Sequence, residues 1–251
     1  MILIKQIKFK GITFRNFDIK DFKKIIERKG LFLFPSGPGL ASIETEKNYF
    51  KALKAANYNF FDSGYFVLLL RYLKKIKVNK LSGYIFIKSF LKYIEKNNNK
   101  KLFLIDPSIK HSISNRKLFK KKGINKKNLN SYIAPQYNPK LILDKKLLGI
   151  IKKIKPDYIL INIGGGTQEI LGLYIKKNTN FKCTILCNGA AISFFTGDQA
   201  PINVFLDKIY LGWLIRIIFN PIIFIPRYLK TIKLINIVLK NNIKLLYHKH
   251  K

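Results

Sequence analysis

Acidic side chains are scarce in this sequence, 13 against 48 Lys and Arg, so a carboxylate set in a Ser/Gly turn is a candidate for chemistry. Asp62, in "FFDSGYF" (60–66), ends an apolar run and precedes Ser63-Gly64. There it could act as a general base, with its pKa set by nearby cations and dipoles, or it could cap the helix that follows. A second candidate is "INIGGGTQEI" (161–170). Gly164, Gly165 and Gly166 allow a backbone to approach a ligand closely, and the following helix start offers N–H groups to an anion. The same residues also suit a plain strand-to-helix turn. The run is neither a full GxGxxG motif nor a Walker loop. Gln168 can both donate to and accept from a sugar or a base. Glu169 is either a ligand contact or a favourable charge at the helix start. Two further turns qualify: "FPSGPGLAS" (34–42), with Ser36, and "CNGAAISFFTGDQAP" (187–201), whose Asp198 reads as a turn residue.

Elements must hold these turns in one place. Strand-like runs at 30–37, 58–64, 101–106, 157–166 and 181–189 are interleaved with helix-like stretches at 42–56, 65–76, 83–98, 145–156 and from Thr167 onward. Strands that read as continuous apolar runs, alternating with helices, predict an α/β fold: a Rossmann-like, mostly parallel sheet with helices on both faces. Ligands collect at the carboxyl ends of such strands, where all four turns lie. The basic, Asn-rich stretch at 120–130 reads as a loop. From about residue 208 the chain changes character, becoming basic, aromatic and interrupted by Pro. This predicts an α/β domain over 1–207 and a basic amphipathic C-terminal helical appendage over 208–251.

A chain of 251 residues with 48% apolar side chains can bury a sizeable core. The net charge of +35 points to an anionic partner: nucleic acid, acidic lipid or a phosphorylated substrate. Lysines scattered by codon drift in an AT-rich genome would also raise it, so charge alone names no partner. Cys183 and Cys187 sit i,i+4 in one strand-like run, too far apart for a disulfide, and no Cys/His cluster offers a metal site. Two reduced, buried cysteines in a cytoplasmic protein are expected. No charge-free apolar stretch is long enough to span a bilayer. The nearest, 210–226, is broken by Arg216, Asn220 and Pro221 and reads as lying on an anionic membrane surface through Trp213 and its Ile and Lys neighbours. No RNP or helix-turn-helix pattern is present, so specific nucleic-acid binding is not expected.

Taken together the turns resemble the WecG/TagA/CpsF glycosyltransferases, N-acetylmannosaminyl- and related transferases acting on lipid-linked sugars. The similarity covers roughly residues 30–230. "FPSG" occupies the place of the family's Thr-Pro-Asn turn, "FFDSGYFVLLLRYL" that of its Asp-Gly stretch and "KLSGYIF" that of its Arg-Val-x-Gly-x-Asp segment. "PDYILINIGGGTQEILGLYI" and the block from "NGAAISFFTGDQAP" through "IPRYL" match its two longest motifs. The resemblance implies an inverting transfer from a UDP-sugar donor to a polyprenyl-diphosphate-linked acceptor in cell-surface polysaccharide synthesis. It implies no cofactor, and a cytoplasmic location peripheral to the inner face of the plasma membrane. A homo-oligomer is compatible with it. Asp62 would be the base and Lys80 would stabilise the leaving diphosphate. Ser36, Gly164–Gly166, Gln168 and Glu169 would bind the donor, and Arg216 and Arg227 would complete the diphosphate site. The sequence departs from the family at several of these points. Ser63 interrupts the Asp-Gly pair and Lys80 replaces an Arg. Gln199 replaces an Arg, Gly212 a Glu, and Asn220-Pro221 stands for Glu-Pro. Residues 101–140 carry "IDPS" and "YIAPQY" in place of a Gly-Gly loop. A non-catalytic nucleotide-sugar-binding module of the same fold is the competing expectation, and a basic nucleic-acid-binding protein a weaker one.

Overall fold

A computed structural model describes residues 4–198, 210, 217, 218 and 220–247. Among the described residues the fold is a nine-stranded sheet in the order β6-β5-β7-β8-β3-β4-β2-β1-β9. Its strands are β1 (Ile4–Phe9), β2 (Ile12–Arg15), β3 (Gly30–Leu33), β4 (Tyr58–Asn59), β5 (Leu102–Asp106), β6 (Leu129–Ile133), β7 (Tyr158–Ile161), β8 (Thr184–Cys187) and β9 (Ile243–Tyr247). From β6 to β2 every pairing is parallel. The β1–β2 hairpin and β9 extend the sheet antiparallel at the far edge. β5, β7 and β8 are buried at every position, which is why their sequences run apolar without alternation.

The helices are α1 (Phe22–Ile26), α2 (Gly37–Ala41), α3 (Lys47–Ala55), α4 (Gly64–Leu73), α5 (Gly83–Lys96), α6 (Ile109–Lys121), α7 (Lys145–Ile154), α8 (Thr167–Asn178), α9 (Ser193–Thr196), α10 (Pro221–Leu229) and α11 (Lys233–Lys240). They cover both faces, as expected. One core joins Phe103, Ile105, Ile159, Ile161 and Leu31 to apolar side chains of α3, α4, α7, α8 and α11. The other joins Leu102, Leu104, Tyr158, Leu160, Phe32 and Phe34 to α1, α5 and Phe119 of α6. The alternation along each strand sends odd and even residues to opposite cores.

Residues 233–247, beyond the expected division at 207/208, pack with the sheet. Leu234, Ile237 and Val238 of α11 are buried in the first core, and β9 pairs with β1 from Ile4↔Tyr247 to Phe9↔Ile243. The cause lies in the sequence: α11 places its apolar residues on one stripe, and "IKLLY" offers an edge strand to the sheet. The stretch expected as a loop, 120–130, takes in the end of α6 and the start of the edge strand β6, with the connection between them. Cys183 and Cys187 are buried and unbridged.

Candidate active site

A cavity of about 240 Å³ opens at the carboxyl ends of β3, β4 and β8. Three helices begin at its wall, each capped by a serine. Ser36 Oγ accepts from Gly39 N of α2 (3.4 Å), Ser63 Oγ from Phe66 N of α4 (3.2 Å) and Ser82 Oγ from Ile85 N of α5 (3.3 Å). Serine caps suit strand-to-helix turns because the short hydroxyl reaches the third N–H of the helix. Helix N-termini carry partial positive charge, and Lys80 lines the same cavity. Asp62 lines it too, so a carboxylate faces the same space as the lysine and the helix starts.

Asp62 does not cap its own helix, which Ser63 does. Its Oδ1 accepts from the Gly83 N–H at 2.8 Å, so the carboxylate is held at the start of α5, 21 residues further along the chain. The neighbouring bond Leu81 N to Phe61 O (3.0 Å) clamps the two turns together. Gly64 is required here, since a Cβ would lie 2.9 Å from that of Tyr210, whose ring in turn carries Lys80 Nζ 5.8 Å from its centroid. Tyr84, the second residue of α5, stacks on Phe195 (5.0 Å, 6°) and meets Phe194 edge-on (5.8 Å, 85°). Tyr228, Thr231 and Ile232, from α10 and the turn after it, close the opposite wall. Thr231 packs so tightly that a Cβ on Gly37 would come within 3.0 Å of its Cγ2.

Ser36, Asp62 and Lys80 thus meet in one cavity. Gln168 and Glu169 do not line it; they form a latch behind it. Gly189 N donates to Gln168 Oε1 (2.6 Å), Gln168 Nε2 to Glu169 Oε1 (3.0 Å) and Gly166 N to Glu169 Oε2 (2.7 Å). The chain ties the β7–α8 loop to the β8 loop, and Gly166 (φ +92°) and Gly189 (φ +55°) supply the left-handed backbone it needs. Both side chains are buried, and burial lifts the Glu169 carboxyl from 4.5 to about 7. Gly164 and Gly165 are exposed, with open space where side chains would stand. Arg227 is exposed on α10, stacked over Phe224 at 5.6 Å, and is not part of the cavity wall. Arg216, Gln199, Gly212 and Trp213 lie outside the described residues. The sequence reading missed Ser82, Tyr84, Asn188, Tyr210, Tyr228 and Thr231. A Ser-Gly helix start in "KLSGYIF", alike in form to "FDSGYF", was the available signal for the first two.

A family model described as "Glycosyl transferase WecG/TagA/CpsF family" matches residues 4–247. No curated relative matches the chain.

Proposed function

The chain belongs to the WecG/TagA/CpsF family of glycosyl transferases, and from that premise we propose that it moves an N-acetylmannosamine-type sugar from a UDP-sugar to a polyprenyl-diphosphate-linked acceptor. The supporting observation is the placing of Asp62 and Lys80 in one cavity where three helices start. An acceptor hydroxyl attacks the anomeric carbon from the face opposite the diphosphate. The new C–O bond forms as the bond to the diphosphate oxygen breaks. The electron pair leaves with UDP and the hydroxyl proton passes to Asp62, with inversion at carbon. The Gly83 N–H fixes the carboxylate's orientation for that transfer, a general-base role typically worth about 10²–10⁴-fold. Lys80 and the N-termini of α2, α4 and α5 offset the charge that grows on the leaving group.

The acceptor's lipid stays in its bilayer, so the enzyme must come to the surface. Ile218, Ile222, Ile225, Leu229 and Ile232 are exposed around α10, Ile222 at 86%, and Arg227, Lys230 and Lys233 lie among them. That combination suits the interface of an anionic membrane, and the same segment walls the cavity through Tyr228 and Thr231. Among the described residues no helix is long and apolar enough to cross a membrane. Asp62→Asn tests the chemistry: transfer to a polyprenyl-diphosphate-sugar falls at least about 10²-fold while UDP affinity holds. Wild-type turnover in the variant removes Asp62 from the base role. UDP binding without turnover by the wild type, with every donor sugar supplied, identifies a binding module instead.

A further inference from the structure

Three neighbouring parallel strands end at the same level in a polar residue. The register pairs Ile105 with Ile161 and Ile161 with Cys187, so Asp106, Asn162 and Asn188 follow one another across the ends of β5, β7 and β8. They share the phase of Leu104, Leu160 and Leu186, and so face the second core's side of the sheet. Phe34, in the same phase on the next strand, lines the active-site cavity, and so does Asn188. The row therefore meets the cavity at Asn188, with Asn162 and Asp106 behind it.

All three side chains are buried, at 0%, 6% and 6% exposure. Asp106 Oδ1 accepts from Asn115 Nδ2 and from Asn162 Nδ2, each at 2.7 Å. Asn188 Nδ2 donates to Gly189 O at 3.4 Å. Yet Asn162 Oδ1 and Asn188 Oδ1 lack a hydrogen-bond partner, and Asp106 Oδ2 makes no well-formed bond, the Ser112 hydroxyl being the donor beside that carboxyl. Buried acceptors are almost always satisfied, because an unmade bond is costly. Three in a row, on adjacent strands, is a pattern and not a packing accident. The row also sits where α6 and α8 leave β5 and β7 for opposite faces of the sheet, the switch point at which open α/β sheets take ligands.

We infer that Asp106, Asn162 and Asn188 form a subsite reading the hydrogen-bond donors of the nucleoside half of the donor nucleotide, its ribose hydroxyls and base N–H groups. The inference rests on the nucleotide-sugar reading above. Acceptor oxygens call for a ligand rich in O–H and N–H, which excludes the diphosphate itself. From the gap between β5 and β7 to that between β3 and β4 is three strand spacings, roughly 14 Å. A nucleoside placed on the row would lie that far from Asp62, with the diphosphate bridging past the open glycines of the β7–α8 loop. The sugar then reaches the cavity.

Asp106→Asn tests the subsite, since it keeps the shape and an acceptor for Asn115 and Asn162 but turns Oδ2 into a donor. Affinities for UDP, CDP, ADP and GDP, and for inorganic pyrophosphate, are measured by calorimetry on the full chain, alongside thermal melts without ligand. The expected result is a loss of at least about tenfold for the nucleoside diphosphate that the wild type binds, with pyrophosphate affinity and melting temperature unchanged. Equal nucleotide affinity in variant and wild type overturns the subsite alone. An equal loss for pyrophosphate also overturns it, because pyrophosphate has no nucleoside to read. A wild type that binds none of the four nucleotides overturns the nucleotide-sugar reading and the subsite with it.

Discussion

Glu169→Gln separates the charge of the buried latch from its shape. The backbone N–H groups of Gly189 and Gly166 at the two ends of the latch are fixed donors. Gln168 must therefore turn its oxygen to Gly189 and its Nε2 to residue 169. A carboxylate accepts from both Gln168 and Gly166, whereas a carboxamide accepts from one and sets its own NH₂ against the other. Relative to the ionised carboxylate that mismatch costs about 1–3 kcal/mol, and the protonated carboxyl shares it because it too carries one O–H. Ionisation works in the opposite direction. Burial, the largest cause, and the nearby Asp62 charge lift the carboxyl from 4.5 to about 7, against the pull of its hydrogen bonds. Between those pH values the native state holds a proton that the unfolded chain has released, so wild-type stability falls as pH rises through the window and levels off above 7. At about 1.4 kcal/mol per pK unit the full loss is about 3–4 kcal/mol, with about 2–3 kcal/mol of it between pH 5 and pH 8.5. The variant carries no such loss. Urea unfolding should therefore show wild-type stability falling by about 2–3 kcal/mol relative to Glu169→Gln between pH 5 and pH 8.5. A gap constant to within about 0.5 kcal/mol across that range would refute the reasoning, since it would mean that Glu169 ionises in the fold as easily as in water.

Two more outcomes follow from the packing. Gly172→Ala should lower stability by about 1–3 kcal/mol in urea unfolding, because its Cβ would fall 2.6 Å from Cys187 Sγ and 2.7 Å from Leu31 Cδ1; unchanged stability would mean that α8 shifts freely on the sheet. Ile222→Asn with Leu229→Asn should weaken binding to anionic vesicles at least about tenfold, since each side chain would bury about 1.5–3 kcal/mol of apolar surface, and should leave the melting temperature alone because both are exposed. Sedimentation with vesicles that matches the wild type would take α10 out of the membrane contact.

The central sheet was legible because β5, β7 and β8 are buried on both faces and so spell continuous apolar runs. The outer strands were not. In β1 and β2 the buried side chains are Ile7, Phe9, Ile12 and Phe14, an alternation masked by Lys on the other face, and β9 pairs with a strand more than 230 residues away. No local pattern encodes that pairing. α6 was missed for the opposite reason. Its Ile109 and Ile113 are exposed while Ser112, Asn115 and Phe119 are buried, so its apolar period does not mark the face that packs.

Within the site, Asp62 was found by its rarity and its place at a strand end, but its anchor was not. The Gly83 N–H lies in another turn, and only the clamp between Phe61 and Leu81 brings the two together. The polar row behind the cavity differs, because its signal was present in the sequence. "LFLID", "YILIN" and "TILCN" are three apolar runs, each closed by Asp or Asn. In parallel strands that are buried throughout, the hydrophobic effect gives no reason for a polar residue at that level, and burying one is costly unless it is bonded. One such ending is a turn residue. Three endings become a site only when the runs are aligned by their closing residues, which is the alignment that the sheet's hydrogen-bond register imposes.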